Sequence, residues 1–253
     1  MFIGKHMVEN SHIRQATRRL GQLIVIMGVW AVSVFGIAAC QQASNNQVSK
    51  PLTAEQKQIQ DLPSSHVDAD APTVVFLGDS LTAGFNLSPK DALPEQVSLR
   101  LNEAKRPVKV INAGVSGDTS ANGLARYDWS VKDVNPDFLI VALGANDYLL
   151  DLSPETTQAN LSKILSKAET DNISVILVGL KPRTKAEAGS RDAKFEAIYP
   201  ELASQFDVPL YPALLEGVRD NSKLLQGDGL HPTAKGVEVM ADRLSDFLNP
   251  LIK

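Results

Sequence analysis

Short apolar runs alternate with longer amphipathic stretches from Thr73 to the carboxyl end of the chain. The apolar runs, bounded by turn formers, predict buried strands, and the stretches between them predict helices. The predicted strands are 74–77, 108–112, 138–143, 174–178 and 208–211. The predicted helices are 93–104, 121–131, 154–170, 191–205 and 233–248. This alternation predicts an α/β fold, a three-layer α/β/α sandwich around a parallel sheet of about five strands.

Residues 1–39 are predicted to be a signal peptide. Basic side chains precede the uncharged, mostly apolar positions 23–39, which is the order found in secretory signals. Positions 37–40, Ile-Ala-Ala-Cys, resemble the lipobox of bacterial lipoproteins, in which Cys40 would carry the lipid. A cleaved signal without lipid is one alternative. An uncleaved membrane anchor is another, because the apolar run is almost long enough to span a bilayer.

Residues 40–71 are predicted to be a flexible linker. Positions 41–47 are rich in Gln, Ser and Asn and have almost no apolar content, so they cannot support a core. The folded domain is therefore predicted at 72–253. Met1 and Met7 are both candidate initiators, because the basic region is long.

The formal net charge is −4, but the predicted signal peptide is basic and the rest of the chain is acidic. Residues 1–39 hold four Lys or Arg and one Glu, so the remainder carries 21 basic and 28 acidic side chains, a net charge of −7. A chain this acidic is a poor candidate for nucleic-acid binding. Cys40 is the one cysteine, which excludes a disulfide, a thiol nucleophile and a Cys-based zinc site from the predicted domain.

A Gly-Asp-Ser turn follows the first predicted strand and ends at Ser80. Such a turn can present a serine hydroxyl at the carboxyl edge of the sheet, where open α/β folds keep their sites. Gly, Asp and Ser are also ordinary turn formers. The rest of the chain must therefore decide whether Ser80 is a nucleophile.

His231 is the one histidine inside the predicted domain, since the others lie at positions 6, 12 and 66. A serine is a weak nucleophile until a base takes its proton, and His231 is the only imidazole available there. Asp228 precedes it by three residues in a glycine-containing loop, close enough to orient the ring. Asp and His are frequent in loops, so this spacing alone does not establish a pair.

Two further strand ends offer hydrogen-bond donors for a tetrahedral oxyanion. Gly114 follows the second predicted strand, and Asn146 follows the third. Each of them alone is typical of an ordinary turn. Together with Ser80, Asp228 and His231, they favour a hydrolytic site at one edge of the sheet.

Four sequence blocks resemble those of the SGNH or GDSL hydrolases. The blocks are Gly78-Asp79-Ser80-Leu81, Gly114, Gly144-x-Asn146-Asp147 and Asp228-x-x-His231. The resemblance covers about residues 73–250, which is the whole predicted domain. Within the family, the chain is most similar to the bacterial thioesterase I, lysophospholipase L1 and arylesterase group.

This resemblance implies a flavodoxin-like sheet with strand order 2-1-3-4-5. It implies that Ser80 is the nucleophile, His231 the base and Asp228 the partner of that base. It also implies an oxyanion hole formed by the N–H groups of Ser80 and Gly114 and by the side-chain amide of Asn146. No metal or cofactor is expected.

The implied activity is that of a serine esterase acting on carboxylic esters, with acyl thioesters and lysophospholipids as further candidate substrates. The apolar residues Tyr148, Leu149 and Leu150 are expected to line an acyl-chain groove; the alternative is that they pack beneath the next helix. A carbohydrate O-deacetylase of the same superfamily and a non-catalytic envelope lipoprotein are the alternative functions.

The expected location is the bacterial cell envelope, with the protein anchored through lipid on Cys40. Gln41 is not the Asp that favours inner-membrane retention in Gram-negative lipoproteins, so the resemblance favours the outer membrane, facing the periplasm. We expect a monomer that binds a small ester or lipid substrate, contacts the membrane through its anchor and binds no nucleic acid.

Overall fold

The structure, a computed structural model, describes residues 70–182 and 187–252. The predicted signal peptide, the lipobox with Cys40 and the predicted linker as far as position 69 lie outside the described residues. Within the described part of the chain, no helix combines the length and the apolar character needed to cross a membrane.

The described residues form one parallel sheet of five strands. The strands are β1 (Thr73–Gly78), β2 (Lys109–Gly114), β3 (Phe138–Ala142), β4 (Ser174–Val178) and β5 (Leu210–Tyr211). Their order is β2-β1-β3-β4-β5, which confirms the predicted fold class and strand order. The register pairs Gly78 with Gly114 on one side and with Ala142 on the other. The loops after β1, β2 and β3 therefore leave the sheet at the same edge.

Eight α-helices connect the strands of the described residues and cover the sheet. They are α1 (Ser80–Ala83), α2 (Leu93–Glu103), α3 (Ser120–Ala125), α4 (Tyr127–Ser130), α5 (Ala145–Leu149), α6 (Pro154–Thr170), α7 (Arg191–Phe206) and α8 (Ala234–Leu248). Short 3-10 turns occupy Pro89–Asp91, Lys132–Val134 and Ser222–Leu224. The start of α6 follows from local chemistry, because Ser153 accepts the Thr156 N–H and Pro154 occupies the first turn.

Alternate residues of the strands enter two separate cores, one on each face of the sheet. Val74 and Phe76 of β1 pack in the core that contains apolar residues of α2 and α8. Val75 and Leu77 pack in the core that contains residues of α6 and α7. Because both faces are covered, the central strands are apolar throughout instead of alternating with polar residues.

Two predicted elements differ from the structure. The prediction of a single helix at 121–131 is wrong, because α3 and α4 are separated at Arg126, whose backbone (φ −100°, ψ 6°) is not helical. The strand predicted at 208–211 is reduced to Leu210–Tyr211, next to Pro209, which has no N–H to donate to a neighbouring strand. Helices α1 and α5 were not predicted, since four or five residues are too few to show a helical period.

Candidate active site

Ser80 is placed at the sheet edge by the turn that joins β1 to α1. Asp79 caps this helix, because its Oδ1 accepts the Leu81 N–H at 3.0 Å and its carbonyl accepts the Ala83 N–H at 2.9 Å. Ser80 is thus the first residue of α1, which begins just beyond the carboxyl end of β1. The side chain of Ser80 is half-buried and faces the loop that carries His231.

The structure brings Ser80, His231 and Asp228 into one line of hydrogen bonds. His231 Nε2 lies 2.8 Å from Ser80 Oγ, and His231 Nδ1 lies 2.7 Å from Asp228 Oδ2. The other carboxylate oxygen of Asp228 accepts the N–H groups of Leu230 and His231 at 2.9 and 3.0 Å. The bond to the His231 ring and then these N–H groups lower the pKa of Asp228 to about 2. The carboxylate is therefore ionised throughout the neutral range and faces the imidazole.

Asp79, next to Ser80, is a buried acid that the sequence did not single out. Its side chain is 2% exposed. Burial raises its pKa to about 6, although the bond from the Leu81 N–H and the nearby His231 both act in the opposite direction. The residue before Ser80 is therefore a carboxyl group that changes charge near neutral pH.

Asn146 lies in α5, directly beyond the end of β3. Its Nδ2 donates to the backbone carbonyl of Asp118 at 2.9 Å. The following residue, Asp147, is buried and holds the helix in place by accepting the Ser120 N–H at 2.7 Å and the Thr157 hydroxyl at 3.1 Å. A side-chain amide has two N–H groups, so the bond to Asp118 orients the amide and leaves a second donor.

A buried arginine connects the Asn146 region with the end of β1. Arg126 is 6% exposed, and its Nε lies 2.6 Å from a carboxylate oxygen of Asp118. The same guanidinium donates to the Gly78 carbonyl at 2.9 Å. Asp118 and Arg126 were not among the predicted site residues, and the sequence offered no signal for their pairing beyond the position of Asp118 after β2.

The structure gives the N–H of Gly114 a different partner from the predicted oxyanion. This N–H donates to the side chain of Asn112 at 3.0 Å. A Cβ atom at Gly114 would lie 2.4 Å from the backbone nitrogen of Ala83 in α1. Glycine is therefore required at position 114 for the close packing of β2 against the helix that carries Ser80.

Gly117 is the next glycine along the chain and lies in the loop that follows β2. It lies in a turn closed by the Asp118 N–H, which donates to the Val115 carbonyl at 3.1 Å. Its φ of +89° favours glycine, and a Cβ atom there would meet nothing within 4 Å. The adjacent residue, Asp118, accepts the Asn146 amide, so this turn borders the Asn146 side chain.

A cavity of about 400 Å³ opens beside the Ser80 hydroxyl, and its size is that of a small-molecule site. Its lining includes Ser80, Asn146, Tyr148, Leu149, Leu180, Lys181, Leu215, Arg219, Leu230 and His231. Leu150 is not part of this lining and is 63% exposed. The structure thus brings two of the three predicted substrate residues to the cavity. No three His, Cys, Asp or Glu side chains of the described residues form a group that could hold a metal ion.

A serine bonded to a histidine–aspartate pair, beside a cavity at the edge of an open α/β sheet, defines a serine hydrolase as the class. Residues 76–239 match the model of the GDSL-like Lipase/Acylhydrolase family. The chain therefore belongs to this family, as its sequence blocks predicted, and is a serine hydrolase that acts on ester bonds.

Named relatives and a solved structure agree with this assignment. The thioesterase 1/protease 1/lysophospholipase L1 of Escherichia coli (strain K12) is 38% identical over 185 residues, covering 73% of this chain and 86% of the relative. The arylesterase of Vibrio mimicus is 36% identical over 176 residues, covering 69% and 87%. The crystal structure of TesA matches with a TM-score of 0.65 and 31% identity, covering 71% of this chain and 99% of TesA.

Proposed function

We propose that this hydrolase uses Ser80, His231 and Asp228 as its catalytic triad and forms a covalent acyl-enzyme. The observation that carries the proposal is the uninterrupted chain of short contacts from Ser80 Oγ through the imidazole to Asp228, at 2.8 and 2.7 Å. Both distances lie within the reach expected of a nucleophile, its base and the group that orients the base.

The reaction follows from this geometry. Ser80 Oγ attacks the acyl carbonyl while its proton moves to His231 Nε2, and a tetrahedral oxyanion forms. The imidazolium gives this proton to the leaving alcohol or thiol, and the acyl group remains on Ser80. Water then attacks the acyl carbonyl and gives a proton to His231 Nε2. The imidazolium returns this proton to Ser80 Oγ as the acid leaves. Asp228 stabilises the imidazolium in both halves, because its lowered pKa keeps it ionised.

The oxyanion is proposed to accept hydrogen bonds from the Ser80 N–H, the Asn146 side-chain amide and the N–H of Gly117. Gly117 replaces the predicted Gly114, whose N–H is occupied by Asn112. The turn of Gly117 borders Asn146 through the Asp118 carbonyl. Donors fixed in advance in this way stabilise charge in the transition state without reorganising.

The substrate is proposed to be an ester with an apolar acyl group. Tyr148, Leu149 and Leu230 line the cavity together with Ser80, and they offer an apolar surface to an acyl chain. Acyl thioesters and lysophospholipids are further candidates, since the Escherichia coli relative carries both activities in its name. Lys181, which also lines the cavity, is suited to an anionic part of such a substrate.

The test is a hydrolysis panel of p-nitrophenyl esters of increasing chain length, with acyl-CoA and lysophospholipid alongside. Wild-type protein should hydrolyse acyl esters, and Ser80→Ala and His231→Ala should each lose nearly all turnover. The double variant should be no worse than either single variant, because the residues act as a unit. Wild-type rates for Ser80→Ala would overturn the triad. Activity confined to acetylated sugars would identify a carbohydrate O-deacetylase instead.

We further propose that the mature protein is a monomeric envelope lipoprotein. A signal peptide at 1–39 would be removed, Cys40 would carry the lipid, and residues 40–71 would tether the hydrolase domain at 72–253. The Ile-Ala-Ala-Cys sequence at 37–40 is the observation that supports this proposal. Gln41 after the cysteine favours the outer membrane, with the domain facing the periplasm.

A further inference from the structure

Gln226 lies in the loop before Asp228 and connects the two segments that carry the proposed nucleophile and base. Its Nε2 donates to the Phe85 carbonyl at 2.9 Å and to the Pro232 carbonyl at 2.8 Å. A side-chain amide nitrogen has two N–H groups, so each carbonyl takes one of them. One side chain therefore joins the segment after α1 to the residue that follows His231.

The Phe85 end of this connection is fixed to Ser80. The Phe85 N–H donates to the Ser80 carbonyl at 3.2 Å. The Phe85 ring also lies against the His231 ring, with centroids 4.3 Å apart and planes tilted by 33°. Phe85 thus touches His231 directly and holds the Gln226 amide at a set position relative to Ser80.

The main chain of Gln226 binds the segment that carries His231. Its N–H donates to the His231 carbonyl at 2.7 Å, and its carbonyl accepts the Gly229 N–H at 2.9 Å. The backbone and side chain of Gln226 together bind two consecutive carbonyls, those of His231 and Pro232. Through these hydrogen bonds, Gln226 connects the Ser80 segment to the His231 segment. This connection is separate from the direct contact between Ser80 Oγ and His231 Nε2.

Apart from Gln226, the ends of this loop are joined by the N–H and hydroxyl of Thr233, which donate to the Leu224 carbonyl at 2.9 and 3.2 Å. The tip of the loop, at 227–229, has little packing around it. A Cβ atom at Gly227 or Gly229 would meet nothing within 4 Å, and Asp228 is exposed. A displacement of about 1 Å between reacting groups can cost about a hundredfold in rate. The bonds that Gln226 makes therefore contribute to the position of the imidazole, in addition to the bond between His231 Nδ1 and Asp228 Oδ2.

We infer that Gln226 is a positioning residue that holds the His231 imidazole at the Ser80 hydroxyl. The inference rests on the proposed roles of Ser80 and His231. Gln226 itself is not required to touch the substrate, because its donors are directed at backbone carbonyls. Its loss should therefore lower kcat and leave KM nearly unchanged.

The first test is Gln226→Glu, which preserves the shape and replaces the donating nitrogen with an oxygen that faces two carbonyl oxygens. We expect kcat to fall by about tenfold to a hundredfold. The loss should be smaller at low pH, where the new carboxyl is protonated and regains one donor. Gln205→Glu, at an exposed position near the end of α7, is the matched control and should retain wild-type kinetics at every pH.

The second test is Gln226→Met, which keeps the length and removes the donors without adding charge. It should lower kcat at every pH tested, with no recovery on acidification. Circular dichroism gives the unfolding temperature of each variant, and kcat is measured below that temperature. A loss of fold is thereby separated from a loss of positioning. If one variant does not fold, the other carries the test.

Wild-type kcat in both variants, or a loss confined to KM, would overturn the role of Gln226. A loss of the same size at every pH in Gln226→Glu would also count against it. His231→Ala is assayed in parallel. If that variant remains active, the proposed triad has failed; if it is inactive while the Gln226 variants are normal, only the positioning role has failed.

Discussion

The side-chain amide of Asn146 donates a hydrogen bond of 2.9 Å to the backbone carbonyl of Asp118. The carboxylate of the same Asp118 is paired at 2.6 Å with the buried Arg126, which also binds the Gly78 carbonyl near the end of β1. The orientation of the amide is therefore set by the fold before a substrate arrives. Donors arranged in advance are those that contribute most to transition-state stabilisation.

Asn146→Ala should lower kcat by about a hundredfold to a thousandfold. KM should change little, because the bond to the oxyanion exists only in the transition state. Steady-state kinetics on a p-nitrophenyl ester measures both quantities. Asn102→Ala, at an exposed position near the end of α2, is the control and should leave kcat close to wild type. A pure increase in KM for Asn146→Ala would instead assign Asn146 to ground-state binding.

Gly114, at the end of β2, and Gly117, in the loop that follows, should respond differently to alanine. Gly114→Ala forces a methyl group against the Ala83 backbone, and such overpacking should cost about 1–3 kcal/mol of stability. Gly117→Ala meets no atoms but must adopt φ near +89°, at a cost of about 1–2 kcal/mol. If the backbone rotates to relieve that strain, the Gly117 N–H turns away from the proposed oxyanion, and kcat should fall.

Thermal unfolding and kinetics of the two variants separate these roles. Gly117→Ala should have the larger loss of kcat when both variants are assayed well below their melting temperatures. If Gly117→Ala keeps full activity while folded Gly114→Ala is inactive, the oxyanion donor is Gly114, as the sequence predicted.

The sheet was predictable because its central strands are buried on both faces. Val74, Val75 and their neighbours form a continuous apolar run that needs no tertiary information to be recognised. β5 was harder, since only Leu210 and Tyr211 pair with β4. The long helix α6 could be located from its N-cap serine and the following proline alone.

The proposed triad could be found from the sequence because His231 is the one histidine in the domain. The choice between Gly114 and Gly117 could not be made there, since both glycines come after the second predicted strand, 108–112. The bond from the Gly114 N–H to Asn112 distinguishes them in the structure. The sequence also does not show the break in the predicted helix at Arg126, whose buried side chain binds Asp118 and the Gly78 carbonyl. A pattern of hydrophobic positions does not predict such a contact.

Cys40→Ser should move the protein from the membrane fraction to the soluble fraction without changing its hydrolytic rate on a soluble ester. Each buried CH₂ of an acyl chain contributes about 0.8 kcal/mol, and two or more chains anchor a protein stably. Mass spectrometry of the mature amino terminus measures the modification directly. A chain that begins beyond Cys40 without lipid, or one that retains residues 23–39, would contradict the lipoprotein proposal. Neither result would affect the hydrolase assignment.

We expect Asp79 to make the stability of the protein depend on pH. Burial raises its pKa to about 6 in the folded protein, whereas an aspartate in an unfolded chain titrates near pH 3.9. Between about pH 4 and pH 6, the folded protein holds a proton that the unfolded chain has released. The contribution of Asp79 to the free energy of unfolding therefore falls as the pH rises through this window.

Asp79→Asn should remove this dependence, because the amide is neutral at every pH and its oxygen can still accept the Leu81 N–H. At pH 8 the variant should be more stable than the wild type, by no more than about 3 kcal/mol, and at pH 4 the two should be nearly equal. Denaturant unfolding at both pH values measures the difference. Asp133→Asn, at an exposed position, is the control and should show no such change. If Asp79→Asn were less stable than the wild type at pH 8, the ionised carboxylate would have to make contacts that outweigh the cost of its burial.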